Sequence, residues 1–539
     1  MSTGNTKYGD GALANNIFSG GNNTAVGIDA LKVSSAKWNT AVGAYSGVAT
    51  TTGISNTSIG VNSLLQNTTG SYNTALGTAT LLKNTTGINN TAVGSNTMEN
   101  NTTGQFNTAV GSRALSSNTS GYSNIAIGPA ALGFNTTGSF NTAVGNEALQ
   151  SNTTGTENTA VGQNALLGNS TGIRNCAFGF SALLNNTTAN YNTAVGWNSL
   201  LTNTTGVSNV AVGANALQNN TTGNYNTALG SEALINNTTG GSNTSLGRNA
   251  LRFNSTGNYN TALGDSALVN NTDGYENTAL GFNTLVGNTS GYENTAVGNL
   301  ALFSGNGIAN TAMGYSAMRL NVSGSGNVAI GSGVLLNNTT GNENVAIGVR
   351  ALRFNSTGNY NTAVGWAALE NVAYSTSSGD YNTALGYAAG NSITTGTILT
   401  CIGYNAQPST VTATNEITLG NSSISTLRCQ VTSITSLSDA RDKKDIVELN
   451  AGLDFVEKLK PVSFTWNMRD GGKVDIQDTG FIAQDLQQVQ IDTGINIPGL
   501  VYDINPERIE ASYGKLLPVL VKAIQDLKKE IDELKSQMK

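Results

Sequence analysis

Thr and Val alternate with Ala and Gly through a five-residue run, Asn-Thr-Ala-Val-Gly, that returns along most of a 539-residue chain. The full unit reads N-T-A-V-G-x-x-A-L-x-x-N-T-T-G-x-x. Its first Asn stands at 23, 39, 56 and 73, continues in steps of 17 to 294, and then falls at 310, 327, 344, 361 and 382, giving 22 units. A fixed period of this kind marks a solenoid. The unit is too short for two packed helices. NTAVG has the small and β-branched residues of a short strand that ends at a Gly corner. NTTG reads as a turn in which Asn and Thr bond locally and Gly supplies a positive φ. The A-L pair between them adds a second short apolar rung. One unit is therefore expected to be one coil of a β-solenoid.

Within NTAVG, Thr and Val point one way and Ala and Gly the other. Neither face carries charge. One face can fill the thin interior of a coil, which leaves the other without a partner in a single chain. Close lateral packing of chains follows, most simply as a threefold fibre. Coils stacked about 4.8 Å apart would make the array roughly 100 Å long.

Composition sharpens the boundaries. Residues 1–437 hold 26 charged side chains, whereas the shorter 438–539 holds 32. The change falls at SLSDARDKKDI, residues 436–446, and marks a domain boundary. The net charge of −6 gives no basic footprint for nucleic acid. Cys176, Cys401 and Cys429 are too far apart for metal or redox spacing and are expected to be small buried residues. With no histidine in the chain, Ser-His-Asp, Cys-His and His-zinc chemistry are excluded. No cofactor and no metal are expected.

MSTGNTKYGDGALANN lacks the basic start and apolar core of a signal peptide. No apolar run reaches the roughly 18–20 residues of a membrane helix. The chain reads as soluble and not membrane-inserted. The N-x-T sequence in almost every unit is also a glycosylation acceptor, but a stacked Asn/Thr ladder accounts for it without sugar.

The organisation expected is residues 1–22 as a degenerate cap, 23–405 as the solenoid, and 406–437 as a β neck in which apolar and polar residues alternate. Residues 438–515 then form a mixed α/β domain. GLDFVEKLKPVSFTW reads as helix, Pro break and strand, and TGFIAQDLQQV as a strand end passing into a helix. Residues 516–539 form a heptad helix with Leu517, Ile524, Ile531 and Met538 on one seam position and Leu520, Leu527 and Leu534 on the other.

The repeats over about residues 20–405 resemble the β-roll head of trimeric autotransporter adhesins and repeats of phage fibres. SDARDKKDI (438–446), GLDFVEKLKPVSFTW (452–466), GFIAQDL (480–486) and YGKLLPVLVKAIQDLKKEIDELK (513–535) together resemble the endosialidase-type intramolecular chaperone of phage tail spikes and fibres. This resemblance implies a trimer and an S-D-x-x-x-K motif. In that motif the Ser attacks the peptide bond on its own N-terminal side and the Lys five residues on is the general base. Carried over, these are Ser438 and Lys443, with the scissile bond between Leu437 and Ser438. Lysine can act as a base where desolvation or a neighbouring cation lowers its pKa. Lys444 could supply that like charge, and Asp439 and Arg441 would orient the loop. Read alone, the nine residues look like a solvated helix start, with Ser as N-cap and Asp in the first turn.

The function expected is that of a virion fibre, on tail or capsid, made in the host cytoplasm. It would be a homotrimer that contacts a baseplate or capsid protein and a host surface glycan or protein. Its C-terminal chaperone would cut itself off. A slow long-range β fold gains from a module that first gathers the chains, and removing that module afterwards traps the product kinetically. The alternatives are a cell-surface adhesin and a fibre that degrades polysaccharide. The last needs clustered carboxylates, and Glu147, Glu157 and Glu293 show no shared face in the sequence.

Overall fold

The structure, a computed structural model, describes residues 4–15, 21–372, 379–424, 426–428, 438–469 and 473–538. It divides into two compact units, Met1–Asn344 and Val345–Lys539.

The first unit is a parallel β-solenoid whose strands run from Thr6–Tyr8 to Val328–Ile330, each three residues long. Each strand pairs with the next in strict register, as Thr74, Ala75 and Leu76 do with Thr91, Ala92 and Val93. The central Ala points inward and is fully buried. Its neighbours point outward and are half-buried or exposed. The alternation expected from NTAVG is thus present, with Ala inside and Thr and Val outside.

Two details of the turn differ from expectation. The Gly with positive φ ends the strand, at 134° for Gly94 and 132° for Gly111, and the Gly of NTTG has no positive φ. The latter is Gly because nothing larger fits. A Cβ on Gly104 would lie 2.3 Å from Asn101 Oδ1 and 2.5 Å from the Gly121 carbonyl oxygen of the next coil. The A-L pair, in turn, is not a strand but the middle of a run of turns. Its Leu is fully buried yet left-handed, with φ of 50° at Leu81 and 53° at Leu115. The Leu81 backbone N–H still donates to the Thr97 carbonyl on the next coil at 3.0 Å.

Two columns of buried amides run along the coils. In the first, Asn107 Nδ2 donates to the Gly121 carbonyl at 2.9 Å and its backbone N–H donates to Asn90 Oδ1 at 3.1 Å. In the second, Asn101 Nδ2 donates to Asn84 Oδ1 at 2.8 Å and to the Gly104 carbonyl. Thr68 Oγ1 donates to the Thr85 carbonyl one coil on. Each N-T-T acceptor such as Asn67, Asn84 or Asn101 is fully buried and bonded, so the folded coil leaves no free amide there for a glycan.

The second unit has coils of the same kind from Val345–Ile347, then lengthens its strands to six residues at Thr397–Ile402 and Thr414–Leu419. These last two pair in parallel, so the segment expected as a neck holds a further coil. The first amide column ends here. Leu399 N–H donates to Asn382 Oδ1, Leu399 itself is a buried apolar plug, and Glu416 stands in register with it. Cys401 is buried and Cys176 half-buried, on the outward Thr column; Cys429 lies outside the described residues.

The C-terminal domain follows within the same unit. Helix α1 (Leu453–Val456) precedes an antiparallel hairpin, Val462–Asn467 with Val474–Gly480. Helix α2 (Ala483–Thr493) ends at a left-handed Gly494. A short pair, Val501–Tyr502 with Glu510–Ala511, leads to α3 (Leu516–Gln537). The helix–strand and strand–helix readings of the two motifs are found here. The core gathers Phe455, Leu486, Val489, Leu500, Leu516 and Val519. Helix α3 is two-sided: Leu516, Val519 and Ala523 face that core, whereas both heptad seam positions, Leu517 to Met538, are exposed.

Candidate self-cleavage site

Residues 438–443 form a tight loop. Asp439, not Ser438, caps the single 3-10 turn Ala440–Asp442, and its carboxylate accepts the Arg441 backbone N–H at 2.9 Å. The Arg441 guanidinium also donates to this carboxylate, and holds it below the usual carboxylate range. Because Asp439 caps the turn, the Ser438 hydroxyl is left for another partner. The backbone leaves the turn extended at Lys443, with φ of −123°. Its side chain reaches back so that Nζ lies 2.6 Å from Ser438 Oγ and 3.5 Å from the Ser438 carbonyl oxygen.

The loop therefore brings Ser438 to Lys443 and Asp439 to Arg441. Lys444 is exposed and takes part in neither contact. All these residues are solvent-exposed in the single chain, so the desolvation expected of a lysine base is not supplied by the chain's own packing. Leu437 lies outside the described residues. Read alone, the nine residues offered Ser438 as the N-cap, the alternative to its role as nucleophile. The Asp at the next position, with Arg two residues on, was the signal for the cap actually used.

Of the acids on the solenoid, Glu157 and Glu293 share one column, each just before a ladder Asn, and Glu147 stands in another. The sequence had shown no shared face for them. Glu276 and Glu293 occupy that column on adjacent coils, exposed beside the stacked rings of Tyr275 and Tyr292. Among the described residues, no group of three or more His, Cys, Asp or Glu could hold a metal ion. No helix among them is long and apolar enough to cross a membrane.

A long parallel solenoid followed by a small α/β domain fits a fibre protein with a C-terminal chaperone domain. Residues 438–495 match the model of the family described as the chaperone of endosialidase, a model named for a peptidase. The match begins at Ser438. No curated protein and no solved structure matches the chain.

Proposed function

We propose that the chain is a virion fibre for host attachment, assembled as a homotrimer, whose C-terminal chaperone cuts itself free between Leu437 and Ser438. The observation that carries the cut is the 2.6 Å approach of Lys443 Nζ to Ser438 Oγ at the head of the chaperone match. The distance is within reach for proton transfer. Ser438 Oγ attacks the Leu437 carbonyl carbon while Lys443 Nζ takes the hydroxyl proton. Lys443 then returns that proton to the Ser438 nitrogen as the peptide bond breaks, leaving an ester between Leu437 and the serine oxygen. Water hydrolyses the ester, releasing the Leu437 carboxylate and restoring the serine hydroxyl. Asp439 and Arg441 hold the turn that places the base.

Trimerisation is supported by two unpartnered apolar features. On each coil the strand residue just before the closing Gly faces outward and is apolar, from Val26 to Ile330 in the first unit and from Ile347 to Leu419 in the second, and no charge enters this column. Helix α3 exposes its complete heptad seam. The receptor, a glycan or surface protein, would meet the outward turns, and a baseplate or capsid protein would hold the fibre on the particle.

Denaturing gels with mass spectrometry test the cut. The wild-type chain should separate into residues 1–437 and 438–539. Ser438→Ala and Lys443→Ala should stay intact, and Lys444→Ala should still divide. An uncut wild-type chain overturns the cleavage. Sedimentation of the 1–437 product as a monomer overturns the trimer.

A further inference from the structure

The last coil of the second unit differs from earlier coils where the C-terminal domain touches it. Its amide-column position holds Glu416, a carboxylate in place of the usual amide. This carboxylate accepts the Ser409 backbone N–H at 2.9 Å and the Ser409 hydroxyl at 2.7 Å. Those bonds fix the closing turn of the coil and leave the Ser409 carbonyl facing out.

Opposite stands the loop between Tyr502 and Glu510. Its D-I-N-P-E-R sequence makes an Asn-Pro turn, with Arg508 N–H donating to the Asn505 carbonyl at 2.9 Å. Asn505 Oδ1 accepts from Glu507 N–H, so the amide is held by its own turn. Its remaining group, Nδ2, donates to the Ser409 carbonyl at 3.4 Å. Around this bond lies a cleft of about 640 Å³ lined by Ile417, Tyr502, Ile504 and Arg508. Ile417 and Ile504 are 72% and 76% exposed on its two walls.

We infer that the Tyr502–Glu510 loop is a docking element that grips the end of the solenoid by its closing turn, Ser409–Glu416. The loop reads the end, where the coil closed by Ser409 on Glu416 presents this carbonyl beside the apolar wall of Ile417. Its occupant is a segment of this same chain, and its partner is a terminated amide ladder. In the chaperone reading, this contact orders the last coil on which the others stack.

The docking needs the chaperone reading but not the cut, so it is measured on the uncut Ser438→Ala chain by hydrogen exchange. In that chain the amides of Thr410–Ile417 should be protected. Asn505→Ala with Ile504→Asp should speed their exchange about tenfold or more. The strands at 362–402 and the domain core at 486–500 should be unchanged. Glu416→Gln, made on the coil side, should in turn speed exchange at Asn505–Arg508. Unchanged protection of Thr410–Ile417 in the loop variant overturns the docking. So does an effect of Glu416→Gln confined to the coil. If the loop variant loses protection throughout 438–539, the Glu416→Gln arm decides by itself.

Discussion

A buried leucine in the left-handed region costs about 1–2 kcal/mol, similar to what its burial contributes. Most coils hold such a Leu or Met, as at Leu81, Met98 and Leu115, and Gly47 and Gly390 take the place in two others. A single coil therefore has almost no net reason to form, and its stability comes from the bonds above and below it. The ladder amides carry much of this. Asn107→Ala removes donors to Gly121 and Asn90 and the acceptor used by Asn124. A loss of about 3 kcal/mol is expected, read from the urea midpoint. Gly104→Ala should cost at least as much, since backbone of the next coil must move. Gly333→Ala should cost less, about 1–2 kcal/mol, because φ there is 62° and a Cβ meets open space, so that only the left-handed strain is added. Burial pushes the Cys401 thiol up to about 11, with Glu416 adding to the shift. The unfolded thiol ionises first, so its stabilising effect is whole at neutral pH and is lost as pH rises toward the folded value. At about pH 8.5, where a free thiol reacts, peptide mapping should show Cys401 alkylated only after denaturation.

At the level of elements, α3 does two jobs on two faces. Its core face closes the domain, and its seam is exposed. Ile531→Asp should therefore leave the circular dichroism of the domain intact and abolish association in sedimentation. Val519→Asp, a charge buried in the core, should unfold the domain. If both variants unfold together, the seam is part of the domain's own packing and not an oligomer contact. The strand Val462–Asn467, the end of Val474–Gly480 and helix α2 were legible because their periodicity switches at a Pro and a Gly, whereas the pairing of the two strands was not. The last coil, Thr414–Leu419, was read as a neck because its amide column holds Glu416 in place of Asn, which breaks the pattern the eye follows.

For the whole molecule, stacking without a local nucleus predicts hysteresis. Uncut Ser438→Ala chain should regain its parallel β signal after dilution from denaturant. The cut 1–437 product should not regain it on the same timescale, although both should melt at similar temperatures. Equal recovery would show that the C-terminal domain is dispensable for folding and would remove the reason proposed for cutting it away.

The repeat by itself determined the coil, because a 17-residue period with one small inward residue per strand admits little else. Charge density changes at 438, and the absence of histidine agrees with the lysine base that the chaperone resemblance implies. What the repeat could not decide were backbone conformations set by neighbours seventeen residues away. Whether a Gly is needed for its φ, as at Gly94, or for the carbonyl pressing on it, as at Gly104, depends on the coil stacked against it. The same holds at the candidate site. Ser438 and Asp439 are both good caps in sequence, and only the turn closed by Arg441 on Asp439 leaves the serine hydroxyl to Lys443.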